Sequence, residues 1–292
     1  MISHTSSTRS KIFLNLLIFS VVLLASNLSS AAQTQGPRPG RRLPEPANPK
    51  LPSLHLIGDS TVRNGDGNGS NGQWGWGSPI AGYFDTTKIN VVNRALGGLS
   101  SRTYLTFEYW DRLMAMLKPG DFVIMQFGHN DAGPINDNVR ARGSIKGTGE
   151  ETDEIDNILT GKREVVHSYG WYLRKFIADT LAKGATPIVC SPVPRKIRSA
   201  TNAEDYSKWA AQVAESTGVR FIPLNAIVSR KYEELGPEKV ELLFSVDNTH
   251  TSLVGAELNA ESVIAGLKAL KNNPLARYFS PRAKSVEKAK LE

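Results

Sequence analysis

Leu54-His55-Leu56-Ile57-Gly58-Asp59-Ser60 is an apolar run of strand length that ends at a glycine and two polar side chains. Four further runs have the same length: Ile89-Asn90-Val91-Val92, Phe122-Val123-Ile124-Met125, Thr186-Pro187-Ile188-Val189 and Val219-Arg220-Phe221-Ile222. Several are continuously apolar, the pattern of parallel strands covered on both faces. Helical spacing fills the intervals. Val166, Tyr169, Leu173, Phe176, Ile177 and Leu181 recur by threes and fours, and Gly184 closes that helix. A second helix carries Ala256, Ala260, Val263, Ile264, Leu267 and Leu270, with Thr251 or Ser252 as its cap. Strand–helix alternation of this kind predicts an α/β fold, a three-layer αβα sandwich with a central parallel sheet, over residues 53–272.

The flanks differ in composition. Arg9 and Lys11 precede an apolar run from Ile12 to Ala25, and small residues follow to Ala32. Residues 1–32 are therefore expected to be a signal peptide, since the run is too short to span a bilayer comfortably. The alternative is an uncleaved N-terminal anchor. Export would place the chain in the periplasm or the medium, with no stable membrane association after cleavage. Residues 33–52 carry Pro37, Pro39, Pro44, Pro46, Pro49 and Pro52 in a polar background and read as an extended linker. Residues 273–292 read as a peripheral tail rich in Lys, Ala and Glu.

Removing the two cations Arg9 and Lys11 from the formal charge of +7 leaves +5 on residues 33–292. A mild basic excess is compatible with an anionic polymer as substrate. There is no concentrated stripe of Lys, Arg and aromatic residues, so nucleic-acid binding has no support. Cys190, the only cysteine, lies in an apolar run and reads as a core residue. The oligomeric state is open, with a monomer as the expectation.

Chemistry-bearing residues gather where the predicted strands end. Ser60 follows the first strand, where its hydroxyl can project into the crevice above the sheet. Gly98, in Ala95-Leu96-Gly97-Gly98, follows the second; Asn130, in Gly128-His129-Asn130-Asp131, follows the third. Asp247 and His250, in Asp247-Asn248-Thr249-His250, precede the cap of the last helix. These residues make up an acyl-transfer set. A hydroxyl nucleophile needs a base to take its proton, and a neutral imidazole suits that task. A carboxylate one turn away can fix the tautomer of that imidazole. The developing oxyanion needs fixed donors, which the Ser60 and Gly98 amides and the Asn130 side chain can supply. Taken singly, Gly-Asp-Ser and Asp-x-x-His are ordinary turn sequences; their joint occurrence carries the weight. Nothing has metal-ligand spacing, and this chemistry needs neither metal nor cofactor.

Residues 131–163 break the strand–helix rhythm. They are polar, Gly-containing and charged in both senses, and a long excursion at the carboxyl edge of a parallel sheet is expected to shape a substrate cleft. Three residues are candidates for substrate contact: Trp76 for stacking on sugar, Arg102 for a carboxylate, and His129 for flanking the cleft. Packing or a structural salt bridge competes with each.

These blocks, in this order, resemble the SGNH (GDSL) hydrolase superfamily, whose fold is flavodoxin-like. The resemblance extends over most of residues 53–270. Within the superfamily the chain is similar to rhamnogalacturonan acetylesterases and related pectin-acting carbohydrate esterases. The likeness rests on Gly58-Asp59-Ser60-Thr61, Gly75-Trp76-Gly77, Gly97-Gly98-Leu99-Ser100-Ser101-Arg102-Thr103, Phe127-Gly128-His129-Asn130-Asp131 and Asp247-Asn248-Thr249-His250-Thr251-Ser252. It implies a triad of Ser60, His250 and Asp247, oxyanion donors at Ser60, Gly98 and Asn130, and removal of acetyl groups from plant cell-wall polysaccharide. Thr61 replaces the leucine of the broad signature, and Leu99 stands where a polar or basic residue is expected. The competing expectations are a xylan esterase, a general short-chain or lipase-like esterase on the same scaffold, and a non-catalytic carbohydrate-binding protein.

Overall fold

The computed structural model describes residues 42–64, 69–196 and 203–290. Five parallel strands form the central sheet: β1 (Ser53–Gly58), β2 (Asn90–Asn93), β3 (Phe122–Gln126), β6 (Thr186–Cys190) and β7 (Arg220–Ile222). Their spatial order is β2-β1-β3-β6-β7. Counted within this sheet the order is 2-1-3-4-5, the flavodoxin-like doubly wound arrangement. The chain leaves β1 for β2 on one side and returns to β3 on the other. The crevice for a ligand in such a sheet lies at that reversal, beyond the carboxyl ends of β1 and β3. Pro187 has no N–H to donate, and β7 begins its pairing only at Ile188, one residue later.

Alternate residues of the strands feed two cores. Leu54, Leu56, Ile124, Ile188 and Ile222 pack with Leu224 and Val228 of α5 (Leu224–Leu235) and with Val263, Ile264 and Leu267 of α7 (Leu253–Ala269). Ile57, Val123, Met125 and Val189 face the other way, against four helices: α1 (Ser101–Thr106), α2 (Tyr109–Met114), α3 (Tyr169–Ala182) and α4 (Ala203–Thr217). Cys190 is buried and free, as its surroundings in the sequence imply. Ser168 caps α3 by accepting from Trp171 N–H, and Gly184 stands just past its end in the left-handed region at φ +69°. Of the two candidates, Ser252 caps α7. A short helix, α6 (Pro237–Glu241), links α5 to the loop that precedes α7.

Residues 131–163 are not one loop. Their second half enters an antiparallel hairpin of β4 (Thr152–Asn157) and β5 (Lys162–His167), separate from the main sheet. Glu164 points inward from β5, and most of the other hairpin side chains meet solvent.

Two expectations about the flanks change. The tail is not peripheral: Leu275, Tyr278, Phe279 and Ala283 enter the first core, and α8 (Pro281–Ser285) closes over it. Phe279 meets Phe84 at 5.7 Å between ring centroids, and Tyr278 stands edge-on to Phe122. These apolar residues precede the Lys-rich end and are sparse enough for composition to hide them. The described part of the expected linker, residues 42–52, is irregular and mostly exposed, as a linker would be, but it is anchored to the domain. Leu43 is buried in the second core, Arg94 donates to Pro44 O, and Asn48 and Asn90 exchange hydrogen bonds at 2.9 and 2.8 Å. The expected signal peptide, residues 1–32, lies outside the described residues. Among those described, no helix is long and apolar enough to cross a membrane.

Candidate active site

Gly58 ends β1 where the chain must pass close to β3. A Cβ there would lie 2.4 Å from Gln126 O and 2.6 Å from Val62 Cγ2, so no side chain fits. The chain then turns: Val62 and Arg63 donate their N–H groups to Asp59 O, and Asp59 Oδ1 accepts from the Thr61 amide and hydroxyl. This turn presents Ser60, 8% exposed, at the carboxyl edge of the sheet.

His250 reaches it from a segment 190 residues away. Its Nδ1 lies 2.6 Å from Asp247 Oδ2, and its Nε2 lies 2.8 Å from Ser60 Oγ. An ionised carboxylate only accepts, so Nδ1 carries the proton and Nε2 is left to accept from the serine hydroxyl. Asp247 Oδ1 accepts from the Thr249 and His250 amides, both at 2.7 Å. Partial burial would raise the Asp247 carboxyl, but the His250 ring and these two amides outweigh it and hold the group below the ordinary carboxylate range. The loop itself is pinned by Thr251, which donates its hydroxyl to Trp74 O and accepts Trp74 N–H on its own carbonyl.

The residues expected to supply oxyanion donors follow β2 and β3. Gly98 is in the left-handed region at φ +83°, a conformation that suits glycine. Asn130 Nδ2 donates to Leu99 O at 2.8 Å, which occupies one of its two N–H groups and leaves the second for an incoming oxygen. Leu99 itself is fully buried in the second core, so its side chain has no part in the cleft. Asp131 fixes the start of α1 by accepting from the amide and hydroxyl of Ser101, and it also accepts from Ser144 Oγ at 3.2 Å. Desolvation raises this buried carboxyl to about 6, helped by the charge of Asp59.

The three candidate substrate contacts are elsewhere. Trp76 is fully buried, and its Nε1 donates to Gln126 Oε1 at 2.8 Å. Arg102 is fully buried too and forms a two-pronged pair with Glu164, at 2.9 Å from Nε and 2.6 Å from Nη2; its Nη1 donates to the carbonyls of Ile135 and Gly143. His129 lies behind the nucleophile, with Nε2 donating to Val193 O at 3.0 Å and Nδ1 3.3 Å from Asp59 Oδ2. All three are corrected from cleft contacts to supports. Trp76, Gln126, Thr61, Asp59 and His129 form one buried chain of hydrogen bonds under Ser60, completed by the Gln126 Nε2 bond to Thr61 Oγ1 at 2.6 Å. Burial would raise Asp59, yet the adjacent His129 and the Thr61 donors hold it below its ordinary range.

Sequence reasoning did not single out Gln126, Asp131 as a clamp, or Arg142. Gln126 could have been noticed as the one amide closing an otherwise apolar strand; Arg142 carries no local signal. Among the described residues no cluster of His, Cys, Asp and Glu could hold a metal ion. The arrangement can deprotonate a serine hydroxyl, orient the base that does so, and receive negative charge on an oxygen opposite it.

A family model described as the GDSL-like Lipase/Acylhydrolase family matches residues 56–258. A rhamnogalacturonan acetylesterase of Emericella nidulans is 30% identical over 217 residues, which cover 73% of this chain and 83% of the relative. A Bacillus subtilis protein named a probable rhamnogalacturonan acetylesterase is 30% identical, with 74% and 93% covered. Among solved structures, the Bacillus subtilis protein YxiM superposes with a TM-score of 0.58 at 24% identity over 75% of this chain, which spans only 56% of that structure. An acetylxylan esterase from Geobacillus stearothermophilus gives a TM-score of 0.52 at 19% identity, with 75% and 95% covered. At such identities the two structures establish a shared fold.

Proposed function

Because the chain belongs to the GDSL-like lipase/acylhydrolase family and is a carboxylic ester hydrolase, we propose that it is a secreted serine esterase that removes acetyl groups from plant cell-wall polysaccharide, rhamnogalacturonan foremost. One observation carries the mechanism: the His250 ring bridges Ser60 Oγ and Asp247 Oδ2 at 2.8 and 2.6 Å. Nε2 takes the hydroxyl proton as Ser60 Oγ bonds to the acetyl carbonyl carbon. The carbonyl oxygen, now negative, is received by the Ser60 and Gly98 amides and the second N–H of Asn130. Asp247 steadies the imidazolium without taking its proton. As the tetrahedral centre collapses, the imidazolium returns that proton to the leaving sugar oxygen. Water, deprotonated in turn by His250, then adds to the acetyl carbon; as the C–Oγ bond breaks, Ser60 Oγ takes that proton back from the imidazolium and acetate leaves.

The substrate class is supported by the two rhamnogalacturonan-directed relatives and by the basic excess of the chain. Secretion is supported by the sequence of residues 1–32. Leu242, Val246 and Val254 are exposed on either side of the Asp247–His250 loop. They favour a second reading, a short-chain esterase acting on simple acyl esters.

Acetate release from acetylated rhamnogalacturonan, with acetylated xylan, 4-nitrophenyl acetate and 4-nitrophenyl butyrate alongside, separates these readings. Release from rhamnogalacturonan that disappears in Ser60→Ala is the expected result. Turnover confined to xylan or to the nitrophenyl esters removes the pectin assignment and keeps the esterase. Wild-type rates in Ser60→Ala overturn the nucleophile.

A further inference from the structure

Resting on that reading, we infer that Arg142 is the residue that recognises a carboxylate on the substrate, the uronate group of a sugar held beside the scissile acetyl ester. Arg142 lies in the first half of residues 131–163, on a stretch fixed by Arg142 N–H and Gly143 N–H, which both donate to Pro134 O. Its Nη1 donates to Gly98 O at 2.9 Å. Gly98 is also the residue proposed above to offer its amide to the oxyanion, so the guanidinium is tied directly to the loop that would receive the ester carbonyl.

A guanidinium has five N–H donors in a planar fork, and it matches a carboxylate with two parallel bonds. Arg142 uses one of the five. Its Nε is buried without a partner and is closed to a ligand, which leaves the Nη groups as the donors on offer; no acidic side chain stands within ion-pair distance of the guanidinium among the described residues. The acids whose charge reaches it are Asp59, Asp131 and Asp137, and each is engaged elsewhere. Asp59 holds Thr61 and His129, Asp131 holds Ser101 and Ser144, and Asp137 accepts from the amides of Val139, Arg140 and Ala141. Burial and the neighbouring Arg140 push the guanidinium down to about 10, so it remains a cation at neutral pH. A partly desolvated cation with an unmatched fork is costly unless an anion meets it.

Arg102 is the contrast. It is the arginine that the sequence nominates for a carboxylate, and Glu164 already fills its fork. Of these two arginines, only Arg142 combines contact with the oxyanion loop and donors left to offer.

The test compares kcat/KM for acetate release from acetylated rhamnogalacturonan oligosaccharides and from the same oligosaccharides after carboxyl reduction, for wild type, Arg142→Gln and Arg142→Lys. Loss of the Gly98 tether lowers both rates by a common factor, so the ratio between the two substrates is the readout. Wild type is expected to favour the free acids by about 10- to 100-fold, the worth of a hydrogen bond to a charged group, expressed in KM. In Arg142→Gln the ratio should fall to near one, and in Arg142→Lys it should lie between. A wild-type ratio near one, or the same ratio in all three proteins, overturns the proposal and leaves Arg142 as a tether of Gly98. Should the variants not fold, inhibition of wild-type 4-nitrophenyl acetate hydrolysis decides instead. Deacetylated oligouronides should inhibit more strongly than their carboxyl-reduced forms, and equal inhibition overturns the proposal. Wild type that hydrolyses the nitrophenyl ester but neither oligosaccharide removes the substrate reading, while the inhibition comparison still judges Arg142.

Discussion

Replacing Asn130 by alanine separates the job its amide is seen to do from the one proposed for it. Its Nδ2 already donates to Leu99 O at 2.8 Å, which helps to hold the segment that carries Gly98. The second N–H on the same nitrogen is the donor proposed for the oxyanion. Asn130→Ala removes that donor at the transition state, and removing a single oxyanion donor costs about 3 kcal/mol, or roughly 100- to 1,000-fold in kcat. It also leaves Leu99 O without its partner. A neutral hydrogen bond contributes about 1 kcal/mol net, so the variant should unfold at slightly lower denaturant with an unchanged slope. Asn130→Asp sharpens the comparison, because a carboxylate donates nothing and sets negative charge beside a developing negative oxygen. The order in kcat should therefore be wild type, Ala, Asp. The assay is saturation kinetics on 4-nitrophenyl acetate, with urea unfolding of each protein. Alanine within threefold of wild-type kcat would refute the assignment of Asn130 to the oxyanion. A loss confined to KM would refute it as well, since a donor engaged only in the transition state acts on kcat.

Two further predictions concern groups away from the reacting atoms. Arg102→Met takes a fully buried arginine out of its pair with the mostly buried Glu164 and strands that carboxylate, so it should cost about 3–5 kcal/mol of stability by urea unfolding; an unchanged midpoint with a raised KM would return Arg102 to the cleft. Asp131 is raised from 3.8 to about 6, chiefly by burial, so between those pH values the folded chain holds a proton that the unfolded chain has released. Its contribution to stability therefore falls as pH rises through that window, by up to about 3 kcal/mol for two pK units, and the full cost stands above it. Asp131→Asn lacks this dependence, so wild type should gain on the variant as pH falls from 7 to 4; parallel curves of unfolding free energy against pH would exclude this account.

The parallel sheet was legible because its strands are buried on both faces and read as unbroken apolar runs, such as Phe122-Val123-Ile124-Met125. The candidate site was legible because a doubly wound sheet collects its ligand at strand ends, and Ser60, Gly98 and Asn130 each follow one. What failed has a common physical cause. Arg102 is a plausible carboxylate binder until Glu164, 62 residues on, comes into contact with it. Trp76 is a plausible sugar platform until Gln126 takes its N–H. Burial of a polar side chain depends on a partner distant in sequence, and local pattern does not contain the partner. The β4–β5 hairpin escaped for a different reason. Thr152-Asp153-Glu154-Ile155-Asp156-Asn157 is mostly solvated, so the apolar alternation that marks a half-buried strand is missing.

The two halves of the site are held by different means, and the difference follows from what each must do. An oxyanion donor acts only if it is already in place when charge develops, because any reorganisation adds to the barrier. The donor side is accordingly tied at several points: Asn130 to Leu99 O, Arg142 to Gly98 O, and Asp131 to both the amide and the hydroxyl of Ser101. Ser60 rests on the buried chain from Trp76 to His129, which joins the ends of β1 and β3 through polar bonds whose geometry permits one register. The base is held through the backbone of its loop, which leaves the ring to meet a hydroxyl, a leaving oxygen and a water in succession. His250 and Asp247 keep side chains 23% and 42% exposed; their contact, the two amides on Asp247, the paired bonds between Thr251 and Trp74, and the Ser245 N–H on His250 O are the fixed points. A substitution that loosens the buried chain should therefore harm catalysis more, per unit of stability lost, than one that loosens the exposed rim around Val246. Gln126, buried beneath the nucleophile with no surface open to a substrate, becomes a position where a loss of packing is read out as a loss of rate.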